Sequence, residues 1–511
     1  MIQTMKNFLC AKNMWYAIAC LLLIIVSNNV LMYSGSKVSI HAVLLMVLLL
    51  IVLSSNKYTF RLLACPLVVA LSLYLPIGYM YGGVNFNYFV SFYATDILEG
   101  YEFLSTLPIG SGLVALLTLI LFVEYRRICN KHHFLLYQNR WLMMLIVIAI
   151  VATSKQFSFF DDGLQAYKTL QVEREKLEAA RKTFKDQWGG VQVNSTASRY
   201  DDYVVVIGES ARKDYLHVYG YPIANTPFLS KVNGVFVDGL KSADTHTVTS
   251  LSRMLTANDK KSHAANYNMD VVTLAKKAGF QSYWISNQGY LGIYDTPISL
   301  IAERAENHQF LKSADNETHN GSDFAIIDIF KKQLTNPTKQ KRVFFLHLYG
   351  SHNDACKRIT DFHDDLVIKD PSYAYMSCYV KSIHKTDVFL SKIYQQLQQN
   401  KAATQREFSM VYFSDHGLTA SDNHIMVSSG KSKQHYDVPL IKLSSDDDQR
   451  QMIHQQKSGY YFVDGLANWM GITNDKLYHY DLFGDEQPDF VVDFPPFHEQ
   501  PDNPVIDITG K

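Results

Sequence analysis

Five stretches near the N-terminus are apolar without a break: residues 14–33, 38–54, 62–81, 111–123 and 141–153, none of them holding Asp, Glu, Lys or Arg. A helix needs about 20 apolar residues to cross about 30 Å of hydrocarbon. The pattern therefore predicts five membrane spans, the last two borrowing flanking aromatic residues to reach full length. Past residue 158 the pattern changes. Leu164, Leu170, Leu177 and Phe184 recur at near-helical spacing among charged residues until Gly189-Gly190. That predicts an amphipathic bridging helix over 159–190, lying on the membrane surface or on the following domain, or serving as a solvated linker. From residue 200 compact apolar runs alternate with helix-like ones. Strands are expected at 203–207, 280–285, 343–348, 408–413 and 438–443, and helices at 271–278, 324–334 and 379–398. This alternation predicts an α/β domain with a mostly parallel sheet covered by helices on both faces. The domains expected are 1–155 (membrane), 156–198 (bridge) and 199–511 (α/β).

Charge sharpens the division. Only 14 of the 96 Asp, Glu, Lys and Arg residues fall in the first 155 positions. With the N-terminus in the cytoplasm, the inner segments carry Lys6, Lys12, Lys57, Arg61, Arg126, Arg127, Lys131 and Arg140, and the outer ones only Lys37. That bias orients the spans and puts everything after residue 153 outside the cytoplasm. The overall balance, 48 basic against 48 acidic residues, lacks the basic surplus that nucleic-acid binding needs. Of six cysteines only Cys356 and Cys378 lie in the exported part, and an oxidising compartment allows them to pair.

In a parallel α/β sheet, ligands bind beyond the carboxyl ends of the strands. After the run 203–207 come Gly208-Glu209-Ser210, and after 408–413 come Ser414-Asp415-His416-Gly417. His347 and His352 lie at the end of 343–348, and Thr245 lies between strands in SADTHTVTSLSRMLT. Carboxylates with imidazole suit Zn²⁺. A metal beside a hydroxyl makes that hydroxyl a nucleophile near neutral pH and offsets charge on a phosphoryl group. Each piece alone also has a structural explanation, as a capping turn, a polar loop or a core histidine; the case rests on their conjunction at one sheet edge.

In this arrangement the chain resembles the phosphoethanolamine transferases of Gram-negative bacteria, in the alkaline phosphatase/sulfatase superfamily. The resemblance is carried by GESARKDYLHVYGYPIANTPFL (208–229), THTVTSLSRMLT (245–256), HLYGSH (347–352) and SDHG (414–417). It implies that Glu209, Thr245, Asp415 and His416 are zinc ligands and that Thr245 takes up the phosphoethanolamine group, with Thr247 a nearby competitor. It implies that His347 and His352 lie near the bound phosphate or a second metal, so that one Zn²⁺ or two are expected. In the outer loop YATDILEGYEFLS, Thr95 and Glu99 stand at lipid-donor positions, while Ser91 replaces a common Asn. The lipid A-modifying branch carries cysteines where this chain has Ala243 and Arg253, which places it nearer the branch that modifies lipopolysaccharide core or glucans. Ser429-Gly430 stands where the family has His-Gly, leaving His424 and His435 as alternative replacements.

The resemblance implies an enzyme of the bacterial inner membrane with its catalytic domain in the periplasm. Its donor is phosphatidylethanolamine, and its acceptor a glycan, lipopolysaccharide or glucan. Two other readings share the sequence features: a phosphoglycerol transferase of the lipoteichoic acid synthase type, and an inactive relative that scaffolds the envelope. A sulfatase is disfavoured, since no C-x-P-x-R or S-x-P-x-R motif occurs.

Overall fold

The computed structural model describes residues 2–32, 38–95, 97–132, 145, 149, 158–288, 296–311, 321–364, 366, 370–421 and 424–509. They form two compact units, residues 1–89 with 104–169, and residues 90–103 with 170–511.

The first unit is helical. Its main elements are α1 (Ile2–Leu31), α2 (Ile40–Ser54), α3 (Cys65–Tyr81, entered through a π-turn at Phe60–Ala64), α4 (Phe86–Ala94), α5 (Ile97–Thr106), α6 (Ile109–Lys131) and α7 (Ser158–Lys182). Residues 90–103 of α4 and α5, and the end of α7, belong to the second unit. Leu23, Val26, Met46, Leu50, Val68, Leu71 and Phe122 pack together. Asn29 of α1 donates to Thr118 of α6 (2.9 Å), a polar contact between apolar helices. Leu44, Leu62, Leu73 and Leu113 point outward and are more than half exposed, as lipid-facing side chains must be. Among the described residues three helices are long and apolar enough to span a membrane, within Asn13–Leu31, Lys57–Tyr81 and Ile109–Lys131. Three of the five expected spans are thus seen among the described residues. Ile40–Ser54 is apolar but has 15 residues, about 22 Å of helix. The fifth run, 141–153, lies almost wholly outside the described residues.

The second unit is built on an eight-stranded sheet. Its strands are β1 (Asp202–Gly208), β2 (Gly234–Val237), β3 (Gln281–Ser286), β4 (Asn307–Phe310), β5 (Arg342–His347), β6 (Phe408–Ser414), β7 (Leu440–Ser444) and β8 (Arg450–Ile453). Their order is β8-β2-β7-β6-β1-β5-β3-β4. Only β7 runs against its neighbours, so the sheet is mixed, with a parallel centre. Alternation explains why β1 reads as an unbroken apolar run. Tyr203, Val205 and Ile207 enter one core and Val204 and Val206 the other, so both faces are buried. Helices α8 (Thr247–Met254), α9 (Val271–Lys277), α10 (Ala325–Leu334), α11 (Ala355–Arg358), α12 (Ala374–Thr404) and α13 (Phe462–Met470) accompany the sheet. Cys356 of α11 and Cys378 of α12 form a disulfide, with Cα atoms 4.7 Å apart. The bridging helix ends at Lys182. The chain then runs on to Trp188, which is fully buried and donates from its indole to Asp270 O (2.9 Å).

Candidate active site

Two central strands bring the carboxylates together. β1 and β6 are parallel neighbours with Gly208 paired to Ser414, so Glu209 and Asp415 leave the sheet side by side. His416 follows directly. Gly417 completes the turn because a side chain there would meet Gln434 O at 2.1 Å. Ser210 adopts a left-handed backbone (φ 58°), an uncommon conformation for a residue with a side chain and one that recurs at functional sites. It is held by the Ser210 N–H donating to Asp415 Oδ1 (3.0 Å) and the Tyr379 hydroxyl donating to Ser210 O (2.8 Å).

Glu209, Asp415 and His416 are all buried, and each offers one ligand atom within 4.8 Å of the others. His416 Nε2 lies 3.4 Å from Glu209 Oε1 and 3.5 Å from Asp415 Oδ2. Thr247 Oγ1 completes the group, donating to Glu209 Oε2 at 3.1 Å and lying 3.2 Å from His416 Nε2. With bonds of about 2.0–2.1 Å, the edge of a tetrahedron is about 3.3–3.4 Å, so these spacings fit a small tetrahedral cation. Two further features fit one. Asp415 Oδ2 is buried with no hydrogen-bond donor, which is costly for a carboxylate unless a cation faces it. His416 Nδ1 lies 2.7 Å from Gly417 O; donating there leaves the Nε2 lone pair toward the carboxylates, the outer hydrogen bond typical of a metal-binding histidine. Burial, reinforced by Asp415, raises the Glu209 pKa. For His416 burial works downward, but Asp415 and Glu209 outweigh it and the pKa rises.

Around this centre Gln288 donates to Glu209 Oε2 (2.9 Å) and to Leu348 O (2.7 Å), and Ser210 Oγ donates to Glu209 Oε1 (2.6 Å). The Ser250 hydroxyl of α8 donates to Asp415 O (2.7 Å), which seats the first turn of that helix against the carboxylates. Thr247 is the first residue of α8, and a helix N-terminus favours an anionic group beside it.

Thr245, the expected nucleophile, makes different contacts. Its hydroxyl lies 2.8 Å from His246 Nδ1 and its N–H donates to Asp244 Oδ1 (2.7 Å). Asp244 and His246 engage it within its own turn, and the threonine that bonds with Glu209 and His416 is Thr247. His347 is buried, with Nδ1 3.1 Å from Ser286 Oγ and Nε2 unpartnered; burial lowers its pKa to about 4. His352 packs against the Tyr349 ring, centroids 4.9 Å apart. His435 is buried and engaged at both nitrogens: Nδ1 is 2.9 Å from Thr419 Oγ1, and Nε2 accepts from Gly430 N (3.1 Å). Burial and then His416 push its pKa well down. His424 pairs with the Tyr373 ring at 4.4 Å. Neither His424 nor His435 is bonded to the three ligands. Glu99 accepts from the Tyr349 hydroxyl (2.8 Å), and Thr95 Oγ1 donates to Ser91 O (2.5 Å). Gln288 escaped the sequence reading, although it stands just past the run 280–285, where a systematic check of strand ends finds it.

A mixed α/β sheet whose parallel centre presents two carboxylates and an imidazole at its carboxyl edge, beside a hydroxyl, is the arrangement of a metal-site enzyme, and residues 201–472 match the sulfatase family. The chain is 40% identical over 384 residues, 74% of its length and 78% of the relative's, to a Haemophilus influenzae protein named provisionally as a phosphoethanolamine transferase. It is 32% identical over 427 residues, 79% of each chain, to phosphoethanolamine transferase OpgE of Escherichia coli. Within the sulfatase family the chain therefore belongs to the phosphoethanolamine transferases. The likeness of fold extends over most of the chain. The integral membrane lipooligosaccharide phosphoethanolamine transferase A of Neisseria meningitidis matches 90% of this chain and 96% of its own, with a TM-score of 0.59 at 14% identity.

Proposed function

We propose that this transferase moves phosphoethanolamine from phosphatidylethanolamine to an envelope glycan or lipopolysaccharide through a covalent intermediate on Thr247. The observation that carries the assignment is the Thr247 hydroxyl within 3.2 Å of both Glu209 and His416. Glu209, Asp415 and His416 would hold Zn²⁺, with Thr247 as the fourth group. When bound, the metal lowers the pKa of the neighbouring hydroxyl and offsets phosphoryl charge. Thr247 Oγ then attacks phosphorus, its proton already directed at Glu209 Oε2. The bond from phosphorus to the glycerol oxygen breaks and diacylglycerol leaves. An acceptor hydroxyl or phosphate oxygen next attacks the same phosphorus, and the bond to Thr247 Oγ breaks. Two displacements allow one site to serve a lipid donor and a polar acceptor in turn.

His347 presents a buried, unpartnered Nε2 that suits contact with a phosphoryl oxygen, and His352 is assigned to the same group. Thr95 and Glu99 are assigned to the donor side. The apolar helices keep the enzyme in the bilayer beside its donor, with the α/β unit in the periplasm, as the Lys and Arg bias indicates. Mass spectrometry of envelope glycans and lipid A from cells with and without the gene tests the reading. An added phosphoethanolamine that disappears with the gene is expected, and identical spectra would contradict it.

A further inference from the structure

Residues 90–103 are part of the α/β unit, although they lie in sequence between two apolar helices. Two carboxylates of α5 make the attachment. Glu102 is 3% exposed and Arg358 5%, and they form an ion pair at 2.7 Å, with Lys357 Nζ 3.5 Å from the other Glu102 oxygen. Glu99, three residues earlier and so on the same helix face, accepts from the Tyr349 hydroxyl at 2.8 Å. The Arg358 guanidinium lies over the Tyr349 ring at 4.3 Å. Tyr349 is thus held at its hydroxyl and at its face. Its N–H and that of Gly350 donate to Asp323 (2.8 and 3.0 Å). Gly350, at φ +49°, backs onto the metal ligand itself: a Cβ there would stand 3.0 Å from Glu209 N and O. Ser351 N donates to Glu209 O (3.0 Å). The helix carrying Lys357 and Arg358 is fixed to α12 by the Cys356–Cys378 disulfide. A continuous set of contacts therefore runs from Glu102 through Arg358, Tyr349 and Gly350 to Glu209.

We propose that residues 97–103 are a positioning element of the catalytic centre: Glu99 and Glu102 press the Tyr349–Gly350 loop against Glu209, and the metal site reaches full affinity only with this segment docked. A buried guanidinium that loses its carboxylate is left uncompensated, so undocking disturbs Arg358 and the loop beneath it. Glu102 acts through Arg358 and Tyr349, and itself touches neither metal nor substrate.

The test uses the full-length protein in lipid nanodiscs. Glu102→Arg sets a third cation against Arg358 and Lys357. It should raise deuterium uptake at 97–103 and 347–352 and weaken Zn²⁺ binding at least tenfold in competition with a chelator. The swap Glu102→Arg/Arg358→Glu should restore protection and bring Zn²⁺ affinity to within threefold of wild type, a rescue that general destabilisation does not produce. Where the single variant does not fold, Tyr349→Phe, which deletes the hydroxyl bonded to Glu99, should raise uptake at 97–103 and weaken Zn²⁺ binding at least threefold. Wild-type Zn²⁺ affinity with the segment fully exchanging, or a segment that stays protected in Glu102→Arg, would overturn the proposal. Neither readout is transferase activity, so a wrong donor or acceptor leaves the result interpretable.

Discussion

At the scale of single residues, the proposed chemistry turns on which of two hydroxyls reaches the candidate metal site. Thr245 and Thr247 are two positions apart, but Thr245 is engaged by His246 and Asp244 while Thr247 reaches Glu209 and His416. Thr247→Ala should abolish transfer while shifting stability by no more than about 1 kcal/mol, since it removes a small polar group and leaves no large cavity. Thr247→Ser should retain part of the activity, because the hydroxyl survives without the methyl that restricts its rotamer. Thr245→Ala should leave turnover within a few fold of wild type; thermal melts and turnover of the three variants decide the matter. The sequence presented both threonines with equal chemistry. What separates them is the start of α8 at Thr247, a boundary that periodicity in SADTHTVTSLSRMLT does not place to the residue. The acidic and imidazole candidate ligands were legible, because each follows an apolar strand directly.

A second residue responds to pH. Asp387 accepts from the N–H groups of Phe228 and Leu229, yet burial outweighs those bonds and raises its pKa to about 6. The folded state therefore holds this proton more tightly than the unfolded chain. The stability it contributes is full below about pH 4, the ordinary range for an aspartate, and is lost as pH rises through about 6. Melting temperatures across that interval should fall more steeply for wild type than for Asp387→Asn. Parallel slopes would show that the carboxyl does not titrate there.

Among the elements, the β1 and β6 pairing and the short α11 matter most. The apolar runs of β1, β3, β5, β6 and β7 were readable because both sheet faces are buried. β2, β4 and β8 were not, being four-residue strands too short for a period to emerge. α8 and α13, of eight and nine residues, also went unplaced. The disulfide from α11 to α12 closes a loop of 22 residues, worth about 3 kcal/mol in the chain-entropy model. Reduction should lower the melting temperature of the α/β unit, and alkylation of the unreduced, denatured protein should label neither Cys356 nor Cys378. If proper docking of α11 matters to the site, reduction should also speed Zn²⁺ loss to a chelator.

For the whole molecule, the charge-poor third and the charge-rich remainder were plain from composition, because the bilayer acts on every residue it touches. The number of spans was not, since a run of 13 apolar residues is compatible with a crossing helix or a shorter one. Orientation is testable directly. A reporter active only in the periplasm should work when fused after Gly190 and fail when fused after Arg127. Activity of the reversed kind would place the site on the wrong side of the membrane for an envelope acceptor.

The central claim is that a hydroxyl at a metal site formed by Glu209, Asp415 and His416 carries the transferred group. The most direct measurement supplies zinc-loaded protein with phosphatidylethanolamine and no acceptor, quenches it in acid, and locates the adduct by peptide fragmentation. The account predicts one phosphoethanolamine on Thr247, absent from Thr247→Ala and from protein stripped of zinc. An adduct on Thr245, or an unmodified Thr247 in protein that still turns over, would contradict it.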